Sequence, residues 1–380
     1  MKIALVVEHC HKMGGHERYV AELAEHLSPR HEVHVFANSW EGVCGPVHFH
    51  RVPMAKKPTL LMLWSFKHNA LKLIKRFGPF DVVHSQGSNS LIQNIITNHT
   101  SQKSRMAAMS SIVQSDRSLV GRLHDRIFYR YVIQAENRIY GADSRSRVIA
   151  VSQGVKKEMC KDYNLAPEKI QVIVNGVDLN RFNPAQRNEL RAGWRAKQGL
   201  AQADFVLLFL GGDWERKCLG VVMEALTLTD RPEIKLAVVG KWHREPAYVE
   251  LTKHLGVEKK VMFCGQTSSP EEAYSGADLF VFPSSYEACS LSVLEAMASG
   301  LPILMPRING ADEQLHEGEN GLFIERSPQS VAEKIMTITN NHQLATSMGL
   351  CSRAMAEHYS WGDCVDQTEQ FYKTAEQIIW

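Results

Sequence analysis

Short apolar runs alternate with amphipathic stretches along the whole of this 380-residue chain, and such alternation predicts a parallel α/β architecture. In the first half the runs predict strands at Ile3–Val7, Glu32–Ala37, Val47–Arg51, Asp81–Ser85, Ile95–Asn98, Arg147–Val151 and Gln171–Val174. Helical patterns fill the gaps, among them GGHERYVAELAEHL and Thr59–Arg76. The pattern restarts with Phe205–Leu210, Leu236–Val239, Val261–Cys264, Leu279–Phe282 and Ile303–Met305. A restart of this kind predicts a second Rossmann-like domain. The boundary is expected near Asn183–Arg187, where Asn, Gly and Pro accumulate. The expected segments are therefore 1–183, 184–360 and a terminal helix 361–380 with Val365, Phe371, Tyr372 and Ile378 on one side. A chain of this length can bury two separate cores.

The stretch VFPSSYEACSLSVLEAMASGLP places Glu287 and Glu295 on either side of a predicted helix start that follows a buried strand. Ser290, Leu291 and Ser292 open that helix, where unpaired N–H groups and the positive end of the dipole can hold a diphosphate. Glu295, inside the helix, is in reach of ribose hydroxyls, and Glu287 is nearer a sugar. Two carboxylates at this spacing are also what a solvated helix entry produces. The flanking strand, Pro283, and the helix ended by Gly300 and Pro302 favour the nucleotide-sugar reading.

Arg216 and Lys217 follow strand Phe205–Leu210 and fall at the expected start of the next helix, where cations oppose the dipole. They suit a diphosphate clamp that neutralises the charge growing on a leaving group. In the first half, Gly14 and Gly15 follow the first strand and permit close backbone approach, although a tight strand-to-helix turn needs the same residues. Glu17 suits the positive end of its helix. His99 ends the apolar run IITN and is a candidate to face a ligand; His84 reads as structural. No D-x-D pair for a divalent metal and no Ser-His-Asp order or nucleophile elbow is present.

With these residues in view, the chain resembles the retaining family 4 glycosyltransferases of the GT-B fold, whose signature E-x7-E runs into E-A-M-A-x-G-x-P. The second half matches as Glu295-Ala296-Met297-Ala298, Gly300 and Pro302, whereas Ala288-Cys289-Ser290 stands where the family often has Pro-Phe-Gly. Cys218 likewise replaces the Gly that usually follows Arg and Lys. The resemblance implies two Rossmann-like domains facing across a cleft, with the last helix crossing back to the first. It implies that Glu287 and His99 orient the donor hexose, that Arg216 and Lys217 bind the diphosphate, and that Gly14 and Gly15 contact phosphate or acceptor. Gly240 and the segment Cys264–Thr267, with Gln266, then border the nucleobase. The implied reaction is front-face displacement without metal or cofactor, most simply glucose transfer from UDP-glucose. UDP-N-acetylglucosamine or GDP-mannose would use the same residues, and a GT-B epimerase or a non-catalytic nucleotide-sugar sensor are the other classes.

Charge bears on the acceptor. Residues 1–182 hold 25 Lys and Arg against 15 Asp and Glu, and residues 183–380 hold 18 against 26. Such a split points to an anionic partner for the first half, either a phosphorylated glycolipid or an anionic membrane surface; no nucleic-acid motif accompanies it. The loop Asn38–Gly42, with Trp40 and Glu41 as acceptor candidates, resembles one in bacterial lipopolysaccharide-core glucosyltransferases, although Trp40 could equally cover the sheet edge. Helix Thr59–Arg76, with Leu60, Leu63, Trp64, Leu71 and Ile74 on one side and Lys67, Lys72, Lys75 and Arg76 beside it, could rest on headgroups or pack on its own sheet. Arg117, Arg122, Arg126 and Arg130 form a second cationic face. Eight scattered cysteines without C-x-x-C spacing read as reduced thiols. The first apolar run is too short for a secretory leader, so a cytoplasmic protein, peripheral on the inner membrane, is expected.

Overall fold

The structure is a computed structural model that describes residues 1–110, 119–141, 144–376 and 378. Two compact units divide the chain: Met1–Gly176 with Trp361–Trp380, and Val177–Ser360. The first crossing point thus precedes the Asn183–Arg187 region, because VDLNRFNP, from Val177 on, already packs within the second unit: Arg353 Nη1 donates to the carbonyls of Leu179 and Phe182.

The first unit is built on a seven-stranded parallel sheet. Its strands are β1 (Lys2–Val6), β2 (Glu32–Ala37), β3 (Val47–Arg51), β4 (Val82–Gln86), β5 (Ile95–Asn98), β6 (Arg147–Ala150) and β7 (Ile170–Val172), in the order β3-β2-β1-β4-β5-β6-β7. Ile3 to Val6 are fully buried, which explains their unbroken apolar run: helices cover both faces of a parallel sheet. Helix α1 (Gly15–Leu27) follows β1, α2 (Thr59–Phe77) precedes β4, and α3 (Leu119–Ile139) lies between β5 and β6. Beyond β1 and β2 the chain adds a two-residue parallel pair, His9–Cys10 against Ser39–Trp40, tied by His9 Nδ1 and Ser39 Oγ at 2.7 Å.

Helix α2 turns a different face to the sheet than its sequence pattern suggested. Phe66, Ala70 and Ile74 enter the core with Ala4, Val6, Phe36 and Val83, whereas Trp64 remains 50% exposed. Lys67, expected on the cationic flank, is 4% exposed and cannot meet a headgroup on the helix's outer surface.

The second unit holds a six-stranded parallel sheet: β8 (Phe205–Leu210), β9 (Ile234–Val239), β10 (Val261–Gly265), β11 (Leu279–Val281), β12 (Ile303–Met305) and β13 (Gly321–Phe323), ordered β10-β9-β8-β11-β12-β13. Its core joins Leu207, Phe209, Trp214, Leu236, Val238 and Val281. Helices α4 (Leu219–Thr227) and α5 (Leu291–Ala298) start beyond β8 and β11. Strand β13 was not anticipated; it is short, and Gly321 is needed because a Cβ there would stand 2.0 Å from the carbonyl oxygen of Ile303.

The terminal helix α6 (Trp361–Tyr372) ends before the expected 380 and belongs to the first unit. Tyr372 hydroxyl meets His84 Nδ1 at 2.7 Å, and Arg147 lies 5.0 Å from the centre of the Phe371 ring. The chain leaves and re-enters at adjacent points: Val177 bridges Ser360, and a Cβ on Gly176 would lie 2.5 Å from Trp361 Cα.

Candidate functional site

In the second unit the strand order reverses between β8 and β11, and open α/β sheets bind ligands outside the carboxyl ends of the strands at such a switch point. The loops leaving these two strands meet there. After β8, the loop Gly211–Cys218 is wound tightly, with Gly211, Asp213 and Cys218 at positive φ. After β11 comes Phe282–Ser290. Ser285 joins the two, its N–H and its hydroxyl both donating to the carbonyl of Arg216, at 2.9 and 2.8 Å.

Their side chains converge. Arg216 Nη1 donates to Glu287 Oε1 at 2.5 Å and to the Tyr286 carbonyl at 2.6 Å, while its Nε donates to Asp213 at 2.9 Å. Ser284, fully buried, donates to the same Glu287 oxygen at 2.9 Å. Burial works against the charge on Arg216, and the carboxylates of Glu287 and Asp213 more than offset it, so its pKa is raised. Lys217 is 9% exposed. Its Nζ donates to the Leu210 carbonyl at 3.3 Å and lies 4.5 Å from the Phe282 ring centre. Desolvation brings its pKa down to about 8, with Glu287 opposing the fall.

Neither cation is in the helix start. Helix α4 begins at Leu219, and Cys218 at φ 55° separates it from Arg216 and Lys217. The tight turn, rather than the helix, aims both side chains at the ends of β8 and β11.

Three glycines follow the ends of β8, β9 and β10 or close them. Gly211 N–H donates to Val239 and Gly240 N–H to Gly265, each at 2.8 Å. A Cβ on Gly240 would stand 2.4 Å from Gly211 O, and one on Gly211 would stand 2.4 Å from Lys217 Nζ. Gly240 is therefore a packing glycine, and Gly211, which sequence reasoning passed over, makes room for the lysine. Gln266, beyond β10, is exposed.

Helix α5 opens at Ser290 as expected, with Gly300 at φ 72° just past its end. Ser290 Oγ pairs with Ser292 Oγ at 2.9 Å, so the side chain that replaces glycine folds along the helix start. The first-turn N–H groups of Leu291 and Ser292 have no acceptor within the helix. Glu295 is 6% exposed and accepts from the Tyr274 hydroxyl at 2.9 Å; Tyr274 is a partner that sequence spacing did not reveal.

In the first unit, His99 follows β5 and its Nε2 lies 2.8 Å from Gln86 Oε1, the last residue of β4. That pairing assigns the ring proton to Nε2 and leaves Nδ1 an acceptor. Desolvation, then the nearby His16 and His84, take its pKa down to about 3, so the imidazole is neutral. His16 and Tyr19 of α1 flank it at ring distances of 6.1 and 5.2 Å. Gly14 precedes α1 and Gly15 opens it; a Cβ on Gly14 would strike the Glu17 carboxylate, while nothing lies within 4 Å of one on Gly15. Glu17 thus folds over Gly14, and the open approach is at Gly15. Trp40, 41% exposed, stacks on Phe49 of the edge strand at 4.8 Å, and Glu41 is exposed beside it. His84 is fully buried between Tyr372 and Thr97. Arg126 and Arg130 are exposed on α3; Arg117 and the side chain of Arg122 lie outside the described residues. Among the described residues, no helix is long and apolar enough to cross a membrane.

Residues 13–181 match the family model Glycosyltransferase Family 4, and residues 191–354 match Glycosyl transferases group 1. The chain is a glycosyltransferase of the GT-B type. Among relatives of this glycosyltransferase, an uncharacterized glycosyltransferase of Methanocaldococcus jannaschii is 27% identical over 61% of each chain. D-inositol 3-phosphate glycosyltransferase of Streptomyces scabiei is 25% identical over 95% of this chain and 86% of that one. The fold is that of WaaG, a glycosyltransferase involved in lipopolysaccharide biosynthesis, with a TM-score of 0.83 at 21% identity over 97% of this chain and 99% of that one. It is also that of Anabaena HepE in complex with UDP-glucose, with a TM-score of 0.74 at 18% identity over 98% and 100%.

Proposed function

We propose that this glycosyltransferase moves glucose from UDP-glucose onto a phosphorylated glycolipid of the lipopolysaccharide-core kind, with retention at the anomeric carbon and without a metal. The carrying observation is the constellation at the switch point: Arg216 held by Glu287 at 2.5 Å, with the ammonium of Lys217 beside the same strand ends. The two cations and the first N–H groups of α5 bind the diphosphate; Glu287 and Glu295 take hydroxyls of the sugar and the ribose. Gly240 and Gln266 border the base. As the bond from the anomeric carbon to the phosphate oxygen breaks, the acceptor oxygen bonds that carbon on the same face, and its proton passes to the departing phosphate oxygen. Arg216 and Lys217 stabilise the charge that accumulates there. In the first unit, Nδ1 of neutral His99 accepts from a substrate hydroxyl, with Gly15, Trp40 and Glu41 on the acceptor side.

The lipopolysaccharide setting of WaaG and the UDP-glucose held by HepE support the choice of acceptor and donor, as does the basic first half. A cytoplasmic location with peripheral contact to an anionic membrane follows from a lipid acceptor. The relative acting on D-inositol 3-phosphate favours a second reading, in which the acceptor is a soluble phosphorylated polyol. Incubation with radiolabelled UDP-sugars and either extracted core glycolipid or inositol phosphate separates them: label enters the lipid fraction under the first reading and the aqueous product under the second. Tight nucleotide binding with no transfer to either acceptor from any donor sinks the enzyme reading.

A further inference from the structure

A parallel pair of strands ordinarily needs a crossover of about a dozen residues or more, usually a helix, which then covers the sheet. Between β4 and β5 the connection is only residues 87–94 and contains no helix. The face left open holds a cavity of about 580 Å³ within the first unit, between α2, α3 and the C-terminal tail. Sites for small molecules have this size.

Its lining is divided. Leu91, Ile92, Ala135, Ile139 and Ile378 form an apolar wall; Ile92 and Ile378 pack on the sheet core, while Leu91 is 49% exposed. Opposed to them is Lys67, whose ammonium donates to Ser88 Oγ at 3.2 Å and sits 5.7 Å from the centre of the Tyr131 ring. No carboxylate lies within ion-pair distance of it among the described residues, although Glu8 and Glu136 attract it from further away. A buried ammonium has three donors, and among the described residues one hydroxyl answers them here. Burying a charge so sparsely partnered is costly. The remaining charged groups among the described lining residues are Arg138 and Arg145, both exposed, and Glu376, so the described lining is net cationic.

We propose that this cavity binds a single-chain anionic amphiphile, its phosphate or carboxylate on Lys67 and its alkyl chain along Leu91, Ile92, Ala135, Ile139 and Ile378. None of the lining residues is among those assigned to glycosyl transfer, and occupancy is read without any transferase assay. Either a free amphiphile or a lipid drawn from a bilayer has the required chemistry.

The test uses the full chain and dodecyl phosphate below its micelle concentration, followed by calorimetry, with dodecanol and inorganic phosphate as comparisons. Dodecyl phosphate is expected to saturate one site, and inorganic phosphate to bind at least tenfold more weakly. Lys67→Met is expected to weaken dodecyl phosphate at least tenfold while leaving dodecanol unchanged, and Ala135→Trp to abolish both; Ile139→Trp substitutes if Ala135→Trp does not fold. Flotation on vesicles doped with lysophosphatidic acid identifies the source. Capture lost in both variants marks a bilayer lipid, and calorimetric binding without capture marks a free one. No saturable binding in either arm, or binding that Lys67→Met and the tryptophan variant leave intact, overturns the proposal.

Discussion

Arg216 and Glu287 form one hydrogen-bonded ion pair, 2.5 Å between Nη1 and Oε1, that ties the loop after β8 to the loop after β11. Both side chains are 16% exposed. The group we assign to the diphosphate and the group we assign to the sugar are thus set by each other before substrate arrives. Glu287→Gln keeps the hydrogen bonds and removes the charge. It is expected to lower transfer by about 100-fold or more, the scale of a lost transition-state contact, with thermal unfolding little changed because Asp213 and the Tyr286 carbonyl still hold Arg216. Unaltered initial rates would take Glu287 out of the site.

Lys217 yields a pH dependence. Burial sets its pKa at about 8 in the free protein, so it is charged below that pH and neutral above. Nucleotide affinity is expected to weaken as pH rises past about 8, with the midpoint displaced upward at saturating nucleotide because a bound anion favours the ammonium. Lys217→Met should remove this dependence and weaken UDP binding roughly 10- to 100-fold, about 1.4 to 2.8 kcal/mol; calorimetry at several pH values checks both.

Gly240→Ala tests the packing of the strand ends. The added methyl meets Gly211 O at 2.4 Å, and the backbone stands at φ 133°, a region costly to any side chain. A loss of roughly 2–4 kcal/mol in urea unfolding is expected; a neutral result would mean that β8 and β9 can separate at this point without cost.

Acid should destabilise the first unit. His84 has its pKa lowered to about 3 by burial, and His50, by burial and then by His34 and His48, to about 4. Both are held neutral in the fold but protonate in the unfolded chain near 6.5, so their stabilisation is complete above that value and drains away as pH falls toward 4 and 3. Melting temperatures from pH 7 to pH 4 should fall, and the fall should be shallower in His50→Gln.

If the cations and the helix start suffice to neutralise the diphosphate, transfer in excess EDTA should match transfer in added Mg²⁺. A strict metal requirement would reassign that role.

Most of the fold could be read from the chain because parallel strands buried on both faces leave unbroken apolar runs; Ile3–Val7 and Phe205–Leu210 are such runs. Strand β13 could not, since it opens on a glycine and its Leu322 and Phe323 are only part-buried, and its determinant is the contact of Gly321 with a carbonyl. The donor-side candidates were legible as residue types, but their geometry was not. The sequence pattern puts Arg216 and Lys217 at a helix start, whereas the positive φ of Asp213 and Cys218 shows the turn that carries them. Lys67 follows the same logic: a lysine in a helix pattern reads as solvated, and its burial depends on Ser88 and Tyr131, which other parts of the chain bring over it.

The return of the chain to its first unit has a consequence for synthesis. His84, which pairs with Thr97 inside the sheet, acquires its second partner Tyr372 only from α6, and Trp361 packs against Gly176 across an excursion of the entire second unit. On the ribosome, the half made first must therefore wait, with one flank of its core uncovered, until the second half has emerged; the N-terminal half is begun first and finished last.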